Sequence, residues 1–195
     1  KVRLLIDPTS SYAQAAAMAM GRAMDDVIIT AALGTASTGE TGTGTETVQT
    51  GIAKGTTGLT VAKLISAKDL LDKADVDPSI PRHIIVGPEQ LGNLLGDSEV
   101  TSSDFNTVKA LVRGELDSYL GFKFTVSNRL PKSVNDRTCI AYAQDGLLLG
   151  IGKDISARID ERADKSYATQ VYYCQTIGAT RMEQAKVVPI IAIEA

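Results

Sequence analysis

Apolar and polar positions along this 195-residue chain follow three patterns: helical spacing first, then mixed helix and strand, then strand. From 8 to 33 the repeat is helical. Tyr12, Ala16, Ala19, Met20, Ala23 and Val27 fall on one side, and Ser11, Gln14, Arg22 and Asp25 on the other. Asp7 and Pro8 supply the start: Asp accepts from free N–H groups, and Pro at the first position gives up no needed donor. Gly34 stands where a left-handed C-cap belongs. At ~1.5 Å per residue such a helix runs ~38 Å, about the width of a compact chain of this size. A second helix is predicted after Thr60 as cap, with Val61, Leu64, Ile65 and Leu71 as its apolar set. "DVDPSIP" breaks it. "RHIIVG" then reads as a buried strand running into a short helix, with Pro88 in its first turn and Gly96 past its end.

"SSDFNTVKALVRG" predicts another short helix, capped by Ser103, with Phe105, Val108 and Leu111 on one side. In "GFKFTVSNRLP", Phe122, Phe124 and Val126 alternate as in a half-buried strand. The last third is strand-rich: "CIAYA", "GLLLGIG", "YATQVYYCQTIGA" and "KVVPIIAIEA". The last two are expected to pair as a hairpin across "TRMEQA", and "GLLLGIGKD" to break at a tight turn. The fold class is therefore α+β.

Between the first two helices lies a run of another kind. Of the 26 residues at 34–59, 16 are Gly or Thr. Few large apolar groups are available to fix it, so it is expected to be the weakest-ordered part of the chain. As a phosphate cradle it fails. Gly39, Gly42 and Gly44 lack the GxGxxG spacing, and the run follows a helix instead of a strand.

Composition removes several function classes. Hydrophobic residues make up 44% and charged residues 22%, ordinary for a globular chain. A net charge of −3 gives no broad basic field for nucleic acid. No apolar run approaches the ~20 residues needed to cross a bilayer. Cys139 and Cys174 form no CxxC, which suits two small buried apolar residues in a reducing compartment. The first residue is Lys1, and the chain is expected to be cut from a longer one.

Catalytic constellations are equally sparse. The single histidine, His83, opens a strand, and its expected role is that of a half-buried strand-end residue. No GxSxG elbow presents a serine to it. "GLLLGIGKD" ends in Gly-Lys, but Asp154 stands where a P-loop needs Ser or Thr. Carboxylates cluster as Asp25 and Asp26, and as Asp160, Glu161 and Asp164 interleaved with Arg158, Arg162 and Lys165. Such mixed signs suit a solvated surface or a subunit contact better than a dyad with separated pKa values. No metal or cofactor site is expected.

Three stretches read in order carry a resemblance. They are the long helix ending in "ALG" before the Gly-rich run, the block "RHIIVGPEQLGNLL…GFKFTVSNRLP", and the close "GIGKDISARIDERADKSYATQVYYCQTIGATRMEQAKVVPI". Together they resemble the major capsid proteins of tailed bacteriophages, with the Hong Kong 97-like fold shared by encapsulins and herpesvirus capsid floors. The most specific phrases are "Gly-Phe-x-Phe…Ser-Asn-x-Leu-Pro" and "Gly-Ala-x-Arg…Val-Val-x-Ile".

The resemblance implies a spine helix at 8–33 and a contact loop at 34–59, both in a peripheral domain (1–59). It implies an axial α+β domain at 60–166 and a returning peripheral hairpin at 167–195. Subunit contacts are then expected at Arg158, Asp160, Glu161, Arg162, Asp164 and Lys165, and at Glu40 and Glu46 in the loop. The implied function is a non-enzymatic shell protein of a virion, assembled in the host cytoplasm. Its partners would be copies of itself in pentamers and hexamers, scaffold, portal and decoration proteins, and packaged DNA contacted without sequence preference; no membrane is involved. The family's N-terminal arm and extended loop are expected to be missing, so no cross-linking residue is transferred. Two alternatives stay open: an encapsulin-like nanocompartment shell, and a small α+β enzyme with a carboxylate dyad in a pocket near 150–165.

Overall fold

The computed structural model describes residues 9–96 and 118–194. Among the described residues three helices, α1 (Thr9–Leu33), α2 (Val61–Lys73) and α3 (Pro88–Leu95), accompany ten strands. The strands are β1 (Ala36–Thr38), β2 (Gly44–Glu46), β3 (Arg82–Val86), β4 (Ser118–Tyr119), β5 (Phe122–Val126), β6 (Lys132–Ser133), β7 (Asp136–Ala143), β8 (Leu147–Arg162), β9 (Ala168–Arg181) and β10 (Val187–Ile193). The class is α+β. The helix predicted at "SSDFNTVKALVRG" and the Asp7-Pro8 start lie outside the described residues.

The chain forms two compact units, one of residues 1–28 and 149–179, the other of 29–148 and 180–195. The larger is built on a sheet of order β10-β7-β3-β5-β4, with β6 beside β7. β3 and β5 run parallel, whereas β7 is antiparallel to both β3 and β10. β7 is central: Cys139, Ile140, Ala141 and Ala143 are all buried. Leu64 and Leu71 of α2 and Leu94 of α3 complete one core with Ile84, Phe122 and Ile190. Burial pushes the Cys139 thiol up to about 11, so it behaves as a small apolar group.

The second helix begins after Thr60, as its sequence indicates, but its apolar set differs. Ile65 is 45% exposed, and Lys63 is buried in its place. The Lys63 ammonium donates to the carbonyls of Lys54 (2.7 Å), Thr57 (2.8 Å), Gly58 (2.9 Å) and Ile191 (3.2 Å). Periodicity misplaces this lysine because loop carbonyls, not apolar atoms, fill its site. Desolvation lowers its pKa, and the carbonyl dipoles keep the buried charge tolerable.

That clamp overturns the expectation of a loosely ordered Gly/Thr run. Residues 36–46 form the antiparallel β1–β2 hairpin. The following stretch is bonded along β10. Ile52 N–H donates to the Pro189 carbonyl (2.8 Å), Ile191 N–H to that of Ile52 (3.0 Å), and Ile193 N–H to that of Thr57 (3.3 Å). Gln49 Nε2 donates to the Ala185 and Val187 carbonyls, and Lys54 pairs with Asp136 at 2.9 Å. Backbone hydrogen bonds do here what the missing apolar side chains could not.

α1 ends where expected, but not by the expected device. Gly34 N–H bonds the Thr30 carbonyl at 2.8 Å, yet Gly34 is absent from the left-handed positions, which include Gly39, Gly42, Gly55 and Gly121. Glycine is needed because a Cβ would sit 2.7 Å from the Thr30 oxygen. The cap itself comes from Arg181, buried, which donates to the carbonyls of Ala32 (3.0 Å), Gly34 (2.8 Å) and Glu46 (2.7 Å). A cation on the last carbonyls also opposes the helix dipole.

The smaller unit pairs α1 up to Ile28 with the two-stranded β8–β9 ribbon. The predicted hairpin of the last two strands does not form. β9 pairs with β8, and β10 pairs with β7 over seven residue pairs from Val187↔Tyr142 to Ile193↔Asp136. "VVPIIAI" is apolar on both faces, which suits a strand inside a core; β9 between Gln170 and Thr180 has no fully buried position. "GLLLGIGKD" also does not turn. It continues as a 16-residue strand, with Gly152 set 3.4 Å (as a built Cβ) from the Thr176 side chain across the ribbon.

β9 does lie along the helix. Tyr173 Oη donates to the Ala13 carbonyl (3.2 Å) and Gln175 Nε2 to that of Met20 (3.4 Å). The inward face of α1 is thus Ala13, Ala16, Met20 and Met24; Tyr12 is 64% exposed, and Ala19 and Ala23 are exposed. The phase was misread because alanines surround this helix and offer no contrast. Ala16→Phe is expected to cost about 1–3 kcal/mol by overpacking, and Ala19→Phe no more than ~0.5 kcal/mol, as at an open surface. Thermal melts of the two variants check this; equal shifts would mean a different helix phase.

Candidate interaction surface

The expected contact residues divide between two places. Arg158, Asp160, Glu161 and Arg162 occupy the end of β8, and Asp164 and Lys165 the turn that follows; all six are exposed. β8 is exposed at nearly every position, so its end is solvated. Arg162 forks onto Asp164, Nε to Oδ1 at 2.9 Å and Nη2 to Oδ2 at 2.5 Å. Glu40 and Glu46 belong to the other unit, on the β1–β2 hairpin. Glu40 is exposed; Glu46 is half-buried, and its carbonyl is the one Arg181 holds.

The ribbon turn is tight. Ser166 (φ 56°, ψ 41°) and Tyr167 (φ 56°) both take left-handed backbone conformations, uncommon for residues with a side chain. They leave the Tyr167 ring 72% exposed. Along β8, Ile151, Ile155 and Ile159 are also exposed at four-residue spacing.

One groove of about 510 Å3 on the ribbon is lined by Lys153, Ser156, Arg158, Asp160, Gln170 and Tyr172. Asp160 is its sole carboxylate, so the second acid a dyad needs is absent from it. Cys174 is half-buried, not apolar-buried as expected: its Sγ lies 3.0 Å from Ser156 Oγ. That hydrogen bond, with Lys153 nearby, lowers the thiol's pKa. His83 is half-buried on β3, stacked on Tyr142 at 5.5 Å, and burial lowers its pKa with Lys123 adding to the effect. No group of three or more His, Cys, Asp or Glu among the described residues could hold a metal. No described helix is long and apolar enough to cross a membrane.

Periodicity did not find the charged residues that hold main-chain groups or each other inside the larger unit: Arg181, Lys63 and the Arg137–Glu194 pair. Arg137 is buried beside Glu194, bonded through Nε to Oε2 and through Nη2 to Oε1 (3.0 Å), while Nη1 reaches Asn128. Each is a charged residue inside or just after an apolar run, a signal that reads equally as a strand end.

A long helix backed by a two-stranded ribbon, joined in one chain to a helix-covered mixed sheet, defines the Hong Kong 97-like class of shell folds. A cyanophage Pam1 capsid subunit superposes with a TM-score of 0.72 at 16% identity, over 99% of this chain and 71% of that one. For Mycobacterium phage Che8 the values are 0.70 and 21%, over 93% and 62%. For the head of Helicobacter pylori bacteriophage KHP40 they are 0.69 and 14%, over 96% and 70%. This chain thus spans 62% of the length of the Che8 chain it resembles. No protein of curated function matches it by sequence. The sequence pattern of the phage capsid proteins matches residues 1–194, and the chain belongs to that family.

Proposed function

We propose that the protein assembles with copies of itself, as pentamers and hexamers, into an icosahedral head around DNA that it contacts without sequence preference. Scaffold, portal and decoration proteins are the other expected partners, and assembly takes place in the bacterial cytoplasm. The observation that carries this reading is family membership across residues 1–194. In this reading residues 1–59, which include α1, and residues 167–195 form the peripheral domain, and residues 60–166 the axial one. The ribbon end, 158–165, and the hairpin acids Glu40 and Glu46 face neighbouring subunits. A nanocompartment shell would use the same fold around a protein cargo, and no observation favours it over a phage head.

Electron microscopy of the intact protein expressed in bacteria tests the reading: closed particles are expected. The ribbon assignment has its own test. Exposed ion pairs contribute only ~0–1 kcal/mol to a fold, but they set register between partners. Arg158→Glu combined with Arg162→Glu should leave the melting temperature nearly unchanged and lower particle yield several-fold. Normal yield would remove 158–165 from the interface.

A further inference from the structure

Four carbonyl oxygens converge on one point in the larger unit. Those of Lys54 (2.7 Å), Thr57 (2.8 Å) and Gly58 (2.9 Å) come from the stretch before α2, and that of Ile191 (3.2 Å) from β10; the distances are to Lys63 Nζ. An ammonium has three N–H groups, so four oxygens are more than its hydrogen bonds require. A lysine whose stem merely crossed the surface would keep its charge in water, but Lys63 is only 8% exposed. The arrangement is that of a cation inside an oxygen shell.

The shell is held together by bonds that do not involve Lys63. Ile52 N–H donates to the Pro189 carbonyl, Ile191 N–H to that of Ile52, and Ile193 N–H to that of Thr57, whose oxygen has a second lone pair for the cation. Lys54 is tied to Asp136 and Gln49 to β10. All four shell oxygens belong to neutral carbonyls. Hard divalent ions want carboxylates and shorter contacts, about 2.3–2.6 Å for calcium and about 2.0–2.1 Å for magnesium. Carbonyl shells without a carboxylate suit potassium. A guanidinium does not match either, because its donors spread over a planar fork and this shell has a single centre. Residues 53–57 are exposed, so only a thin layer of chain separates the shell from solvent. We infer that these four carbonyls are a site for a compact, singly charged cation of the potassium or ammonium class, which the chain fills with its own Lys63. The lysine is thus a built-in ion, and it frees the ordering of 48–58 from the salt around the protein.

Melting of the full chain in potassium, ammonium or choline chloride at equal ionic strength tests the site, since choline is too bulky for the shell. Wild type should melt alike in all three. Lys63→Ala removes the stem and leaves the shell. It should melt lower than wild type in choline and regain about 3 °C or more in potassium or ammonium, saturating with concentration as one site requires. Hydrogen exchange at Ile193, whose N–H bonds the Thr57 carbonyl, should slow in that variant as either ion is added. Lys63→Met keeps an uncharged stem in the way, so it should melt low in all three salts. Equal recovery in Lys63→Met, or the same gain in wild type, would be a general salt effect and overturns the site. So does a Lys63→Ala protein that gains nothing from either ion, including one that folds in none of the salts. A second measurement reads binding directly: isotope-labelled ammonium followed by NMR should show one saturable site in Lys63→Ala and none in wild type. Binding to both proteins, or to neither, overturns the assignment.

Discussion

Glu194→Gln should destabilise the protein by about 3 kcal/mol at neutral pH, because it strands the buried Arg137 guanidinium without its counter-charge. Arg137 and Glu194 are 6% and 9% exposed, and Lys132 reaches the same carboxylate at 3.1 Å. The bonds from Arg137 hold the Glu194 carboxyl down at about 2, against an ordinary 4.5. A carboxyl depressed by folding contributes stability that is complete above its unfolded pKa and lost as pH falls through the folded one. The wild type should therefore lose stability between about pH 4.5 and pH 2, and this part of the slope should vanish in Glu194→Gln. Asp77, lowered by its hydrogen bonds from Ser79, adds a slope common to both proteins. Denaturant unfolding at a series of pH values gives the comparison. Parallel acid curves would mean the pair is not formed in the folded state.

Gly51→Val should cost at least about 3 kcal/mol, beyond the usual range for overpacking because the obstacle is main chain. A Cβ at Gly51 would overlap the Pro189 carbonyl oxygen and ring and lie 2.8 Å from the carbonyl carbon. Pro189 cannot withdraw: it is paired with Ile140 on one side and bonded to Ile52 on the other. Gly55→Ala is the matched comparison. Gly55 has φ +56° and open space around it, so alanine there costs only the left-handed penalty of ~1–2 kcal/mol. Hydrogen exchange should quicken at Ile52 and Ile191 in the first variant and not in the second. Equal melting temperatures would mean that close approach, as distinct from backbone conformation, does not matter at this edge.

The elements themselves were largely readable. α1, α2, α3 and the strands of the core each announce themselves by period, by a Pro at a helix start or by a Gly after a helix end. Pairing was not readable. Val187–Ile193 is apolar at nearly every position, so nothing local distinguishes β7 from β9 as its neighbour. The ordering of 48–58 was hidden for a related reason: main-chain bonds and one lysine hold it, and neither has a composition signature. The exposure of 158–165 was legible because mixed charges without an apolar phase have little reason to be buried. Arg181 was in plain view inside "Gly-Ala-x-Arg", but a sequence does not say which carbonyls an arginine will meet.

The bonded stretch around Ile52 also has a meaning for solubility. A sheet ends in two rows of unpaired amides and carbonyls, and each row can template another molecule's strand. In this sheet one margin is β4, only two residues long. The other would be β10, but Gly51, Ile52 and the chain up to Thr57 lie over its main-chain groups, with Ile52 bridged to Ile190. A protein that accumulates to high local concentration must join its neighbours through chosen surfaces alone. Capping the exposed margin with its own chain closes off fibrous, strand-to-strand polymerisation, the competing route by which crowded sheets come together.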